Sequence, residues 1–101
     1  MSTAVQVTMY LNESDKWRRI LEVLRAENVA GASVLHAVGG FNGRNNVRTS
    51  GLVEGGGNLP VVLIFVDLAE HVVRVLPKLM ELAPNRLIVR ENVVVEQSNL
   101  G

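Results

Sequence analysis

Pro60-Val61-Val62-Leu63-Ile64-Phe65-Val66-Asp67 is the stretch on which the fold turns. Its apolar run, rich in β-branched residues and opened by proline, predicts a strand. Apolar residues stand at every position rather than every second one, which is the pattern of a strand covered on both faces.

Downstream of this run, Asp67 with Glu70 resembles a capping box opening a helix. Ala69, Val72, Val73, Leu76, Leu79, Met80 and Ala83 give that helix an apolar stripe. Pro77 lies inside it and is expected to bend it or remove one hydrogen bond, and Pro84-Asn85 ends it. Leu87-Ile88-Val89 and Val93-Val94-Val95 then form a last extended segment bent at Glu91-Asn92, before a loose tail from Gln97 to Gly101.

Upstream, Val5, Val7, Met9 and Leu11 alternate with Gln6, Thr8 and Tyr10, which predicts a half-buried strand. Asn12-Glu13-Ser14-Asp15 supplies turn formers, with Ser14 or Asp15 as N-cap. Trp17, Ile20, Leu21 and Leu24 recur at helical spacing, so a helix is expected from about Lys16 to Glu27, with Asn28 as terminator. Ala32 to Val38 is a second strand. His71, early in the second helix, is expected to face solvent.

The resulting order, β-α-β-(long connection)-β-α-β, is a ferredoxin-like α+β arrangement over a single domain, residues 1–101. Right-handed crossovers place both helices on one face of a four-stranded antiparallel sheet. That leaves the second side of the Pro60–Val66 strand bare. Each Val, Leu or Phe removed from water is worth roughly 1.5–3 kcal/mol, so copies packing sheet to sheet in a symmetric oligomer are expected to cover it.

The long connection, about residues 39–58, holds seven of the nine glycines: Gly39, Gly40, Gly43, Gly51, Gly55, Gly56 and Gly57. Long connections inside small domains tend to be functional or disordered, and glycine makes ordering costly. The stretch is therefore either a binding loop that orders on a ligand or a slack connection. Gly39-Gly40-Phe41-Asn42-Gly43-Arg44 offers backbone N–H groups to a phosphate or carboxylate, with Lys16, Arg18, Arg19, Arg44 and Arg48 to neutralise it. A solvated basic face is the bland alternative. It is neither a Walker loop nor a dinucleotide fingerprint, since both of those open a helix. Phe41 is either an anchor on the sheet or a stacking platform. His36, in the strand leading to the loop, is either a structural imidazole or a ligand contact.

Ten basic and ten acidic residues balance, so no bulk charge draws the chain to nucleic acid or membrane. The central strands carry no aromatic pair of the kind that stacks bases. Cysteine is absent, which excludes disulfides, thiolate nucleophiles and common structural zinc sites. No run is long enough for a membrane span and no signal peptide is evident, so a cytoplasmic protein is expected. The two histidines, His36 and His71, lie near no evident nucleophile, so an enzyme is not expected. Glu13 and Asp15 are accounted for by capping and helix-dipole complementarity.

Tyr10-Leu11-Asn12-Glu13-Ser14-Asp15-Lys16-Trp17, Ala30-Gly31-Ala32-Ser33-Val34-Leu35, Gly40-Phe41, Val47-Arg48-Thr49, Leu59-Pro60-Val61-Val62 and Val75-Leu76-Pro77-Lys78-Leu79 resemble an uncharacterised PII-like family. That family is related to the nitrogen-regulatory PII and CutA-type proteins. The resemblance implies a homotrimer in which a small anionic effector, an adenine nucleotide, binds in clefts between subunits. The loop at 39–58, in the place of the PII T-loop, would report that binding to a partner, a membrane transporter or an enzyme. The candidate ligand-binding residues, taken from the reading of the residues above, are Lys16, His36, Gly39, Gly40, Phe41, Gly43, Arg44 and Arg48; the phosphate-binding lysine and arginine motif of PII does not occur in the chain. The chain departs from the family pattern at Arg48, where a histidine is often found, and in a shorter segment after Trp17. Two alternatives stay open: a CutA-like metal- or ion-binding trimer using His36, and a small trimeric enzyme acting on an organic acid.

Overall fold

A computed structural model of the chain describes residues 4–40, 48–49 and 59–98. Its elements run β1 (Ala4–Asn12), α1 (Trp17–Ala26), β2 (Ala32–His36), β3 (Gly39–Gly40), β4 (Arg48–Thr49), β5 (Pro60–Leu68), α2 (Ala69–Leu82) and β6 (Leu87–Val93). The main sheet has four strands in the order β2-β5-β1-β6, every neighbouring pair antiparallel. Each β-α-β unit therefore spans one intervening strand, which is the split arrangement expected from the element order.

Alternation in β1 decides which side is the core. Val5, Val7, Met9 and Leu11 are buried and meet Val61, Leu63 and Phe65 of β5 with Ile20 and Leu24 of α1 and Val72, Val75 and Leu79 of α2. Both helices thus lie on one face. The apolar run of β5 resolves into two sets: Val61, Leu63 and Phe65 face the helices, while Val62, Ile64 and Val66 lie half-buried on the open face.

Pairing registers place Leu35, Val62, Tyr10 and Leu87 in one row across all four strands of that open face. The next row is Ser33, Ile64, Thr8 and Val89, and beyond it lie Val66, Gln6 and Glu91. The Gln6 amide donates to Glu91 at 3.5 Å in that last row, so the face grades from apolar near the 39–58 connection to polar at its far end. Leu35, Leu87 and Val89 are 55%, 61% and 42% exposed.

Several local expectations are corrected. The N-cap positions are Lys16 and Leu68, and neither helix takes a side-chain cap bond. Asp67 belongs to β5, where Oδ1 accepts the Leu68 N–H at 2.7 Å and Oδ2 accepts the Ala30 N–H at 3.1 Å. No capping box with Glu70 forms because that carboxylate is taken by the α1–β2 connection. His71 does not face solvent: its side chain is 15% exposed and Nδ1 lies 3.3 Å from Asp67 Oδ1. The stripe of α2 is turned relative to expectation, with Val75 buried and Val73 and Met80 outside. Pro77 sits within α2 without ending it. The last strand is continuous through Glu91 and Asn92 and stops at Val93, leaving Val94 and Val95 beyond it. Asn28 does mark the turn after α1, in the left-handed region at φ 61°.

Candidate functional site

The site is built where β1 hands over to α1 and where β2 ends. Two backbone bonds close the mouth of the long connection: Ala37 N–H donates to the Pro60 carbonyl at 3.0 Å, and Glu13 N–H donates to the Leu59 carbonyl at 2.9 Å. A two-residue ladder, Gly39 with Thr49 and Gly40 with Arg48, carries the pairing beyond β2. Nothing in the residue pattern of the connection announces this ladder. Gly40 has φ 137°, and an added Cβ would stand 3.7 Å from the Pro60 ring. Conformation rather than crowding therefore calls for glycine there.

Beside this mouth, the His36 imidazole Nε2 touches the Glu13 carboxylate Oε2. Nε2 carries the hydrogen and the carboxylate accepts it, in the neutral and the charged imidazole alike. The Trp17 ring meets the imidazole edge to face, centroids 6.0 Å apart and planes at 88°. Arg18 lies over the Trp17 ring at 4.1 Å, a cation–π contact. Lys16, exposed at the N-cap of α1, precedes Trp17 in the chain. The next cation of α1, Arg19, pairs with Glu22 at 3.7 Å.

Of the eight candidate ligand-binding residues, the structure brings His36, Gly39 and Gly40 to the mouth and sets Lys16 at the N-cap of α1, beside Trp17 in the chain. Arg48 enters through its backbone pairing with Gly40. Phe41, Gly43 and Arg44 lie outside the described residues. Glu13, Trp17 and Arg18 join the cluster: Trp17 also packs against the core, as its helical spacing leads one to expect, whereas Glu13 caps no helix. Asp15 is likewise no cap. It accepts the Asn12 N–H at 2.7 Å and pairs with Arg86. The signal that could have found Glu13 is its place in the block Tyr10–Trp17, three residues before Lys16.

A separate hollow of about 1120 Å³ lies on the open sheet face, between Ser33, Leu35, Ile64 and Val66 and the segment from Val93 to Ser98. Lys16, His36, Gly39 and Gly40 do not line it. Among the described residues no three His, Asp or Glu side chains group closely enough to hold a metal ion, and no helix is long and apolar enough to cross a membrane.

The UPF0166 protein MJ1524 of Methanocaldococcus jannaschii is 33% identical over 95 residues, covering 88% of this chain and 87% of that protein. The solved structure of CPII from Thiomonas intermedia K12, a nitrogen regulatory PII-like protein bound to ADP, AMP and bicarbonate, superposes with a TM-score of 0.73. It is 14% identical and covers 94% of this chain and 90% of its own. The divalent ion tolerance protein CutA1 of Ehrlichia chaffeensis superposes at 0.66, with 12% identity over 96% of this chain and 87% of its own. At such identities these two structures speak for the fold, which is that of PII-like and CutA proteins. The model of the DUF190 family, described as an uncharacterized ACR, matches residues 4–95, and the chain belongs to that family.

Proposed function

We propose that this protein is a non-enzymatic, PII-like regulatory module of the cytoplasm, a homotrimer that binds a small anionic effector beside the mouth of its 39–58 connection. An adenine nucleotide is the favoured effector class, and a membrane transporter or an enzyme is the partner that responds. One observation carries the reading. An imidazole, a tryptophan and a guanidinium, His36, Trp17 and Arg18, stack beside the point where hydrogen bonds from Glu13 and Ala37 pin the returning end of the connection, with Lys16 next to Trp17 in the chain. A ligand bound there with different contacts in two loop states shifts the balance between them, which is what a sensor requires. The same fold holds ADP, AMP and bicarbonate in CPII.

The open sheet face supports the trimer. Its apolar end, Leu35, Val62, Tyr10 and Leu87, lies beside the proposed effector site, so a sister copy packed there would form a cleft wall.

Calorimetry with ATP, ADP, AMP, a cyclic nucleotide and bicarbonate tests the reading. Saturable binding of at least one, lost in His36→Ala, is expected. Silence across the panel removes it. Light scattering should report three times the 11.0 kDa chain mass.

A second reading has one observation behind it. His36 and Glu13 touch, and both are ligands that divalent cations accept. Further ligands would have to come from a sister copy, so this CutA-like reading needs a Zn²⁺ titration that responds to His36→Ala and vanishes in a monomeric variant.

A further inference from the structure

The described charged pairs fall into two kinds. Asp15–Arg86 and Asp67–His71 are the more buried ones, and each ties together segments distant in sequence or turns of one junction. The His36 and Glu13 side chains are instead 51% and 33% exposed. Exposed ion pairs contribute little to fold stability, so support of the fold is a weak reason for this one. Its position has another consequence. The imidazole is the natural donor for an anion arriving at the mouth, and its Nε2–H already has a carboxylate on it.

We propose that Glu13 is an internal competitor for the anionic effector at His36: the effector displaces the Glu13 carboxylate from the imidazole, and that displacement sets the affinity threshold. The inference rests on the anionic-effector reading of this site. An anion at Nε2 either takes the place of Oε2 or sits against a like charge, and both weaken binding. Glu13 can leave by side-chain rotation alone, because its backbone N–H is held by the Leu59 carbonyl at 2.9 Å. The neighbouring cations stay available: among the described residues Lys16 forms no ion pair, and Arg18 rests on the Trp17 ring. Asp15, the other acid of the turn, is held by Arg86 and does not compete. From β5, the residue facing His36 across the sheet is Val61, which carries no charge.

Trp17 is the sole tryptophan and lies against the imidazole, so its fluorescence reports on the site directly. The full chain, Glu13→Gln, His36→Gln and the double variant are titrated with inorganic pyrophosphate and with ADP, in low-salt buffer free of phosphate. Matched thermal melts serve as the check on folding. Glu13→Gln should bind both anions about five- to tenfold more tightly than the wild type, as expected for removing one nearby like charge. The gain should shrink with added salt and disappear in the His36→Gln background. A wild type that stays silent while Glu13→Gln binds also supports the proposal, since the threshold then lies above the concentrations used. Equal or weaker binding by Glu13→Gln overturns it and leaves the effector reading intact. A gain that persists undiminished without His36 also overturns it, because Glu13 would then act through overall charge. Failure of both wild type and Glu13→Gln to bind either anion removes the effector reading, and this inference with it.

Discussion

Asp15 and Arg86 form a two-point ion pair, guanidinium Nε to Oδ2 at 2.8 Å and Nη2 to Oδ1 at 3.1 Å. The pair joins the turn that starts α1 to the segment that starts β6, 71 residues apart. Asp15 also accepts the Asn12 N–H, so one carboxylate shapes the turn and locks it to the far end of the chain. Arginine fits this geometry because its planar fork matches both carboxylate oxygens. Arg86→Lys keeps the charge and loses the second contact. We expect it to cost about 1 kcal/mol and Asp15→Asn about 1–3 kcal/mol in urea unfolding, with strong coupling between the two in a double-mutant cycle.

Asp67 carries a comparable load at the other junction. Buried to 5% exposure, it accepts from the Ala30 and Leu68 N–H groups and lies against His71 Nδ1. Asp67→Ala should cost about 2–4 kcal/mol, since it leaves two backbone donors and an imidazole without their acceptor. His71→Gln should cost less, as both backbone bonds survive. Equal losses for the two variants would show that the imidazole, not the backbone bonds, is the dominant contact.

How much of this was legible beforehand follows from the range of the forces involved. The order of elements could be read because alternation in Val5–Leu11 and the run Val61–Val66 are local signals, and right-handed crossovers then place both helices on one face. The helix caps could not. Asp67 and Glu70 have the spacing of a capping box, but a bond to Ala30, 37 residues away, took the carboxylate. The phase of α2 was ambiguous because Val72, Val73, Val75 and Leu76 are all apolar, so only packing decides that Val75 goes in and Val73 stays out. At the candidate site, His36 and the cations stood out by residue type. Glu13 did not, because its partner comes from a strand that is not its sheet neighbour.

The helices are linked across their exposed side by Lys78, whose Nζ donates to Glu27 Oε2 at 2.6 Å. The hydrogen bond from Lys78, reinforced by its charge, holds the Glu27 carboxyl below the ordinary value of 4.5. A carboxyl depressed in the folded state contributes stability above its unfolded pKa, and that contribution is lost as pH falls through the folded value. A ¹³C titration of the Glu27 carboxyl should therefore give a midpoint below 4.5 in the wild type. In Lys78→Gln the midpoint should rise. The unfolding midpoints of the two proteins should converge as the pH is lowered through the Glu27 transition.

The open face offers the most direct check on assembly. Val62 sits in the row Leu35–Val62–Tyr10–Leu87, on the side of β5 opposite the helices, so a charge there does not touch the core. If sister copies cover this row, Val62→Glu buries an unpaired carboxylate at each subunit junction, which is too costly for assembly to survive. Light scattering should then report the single-chain mass, while far-ultraviolet circular dichroism stays that of the wild type. Effector binding should fall with assembly if a neighbouring copy forms part of the cleft. A variant that keeps the wild-type mass would show that this face is not the junction, and one that unfolds would show that it is needed by the single chain itself. Tyr10→Ser separates those cases, since it trims the same row without introducing a charge and should weaken assembly in a concentration-dependent way.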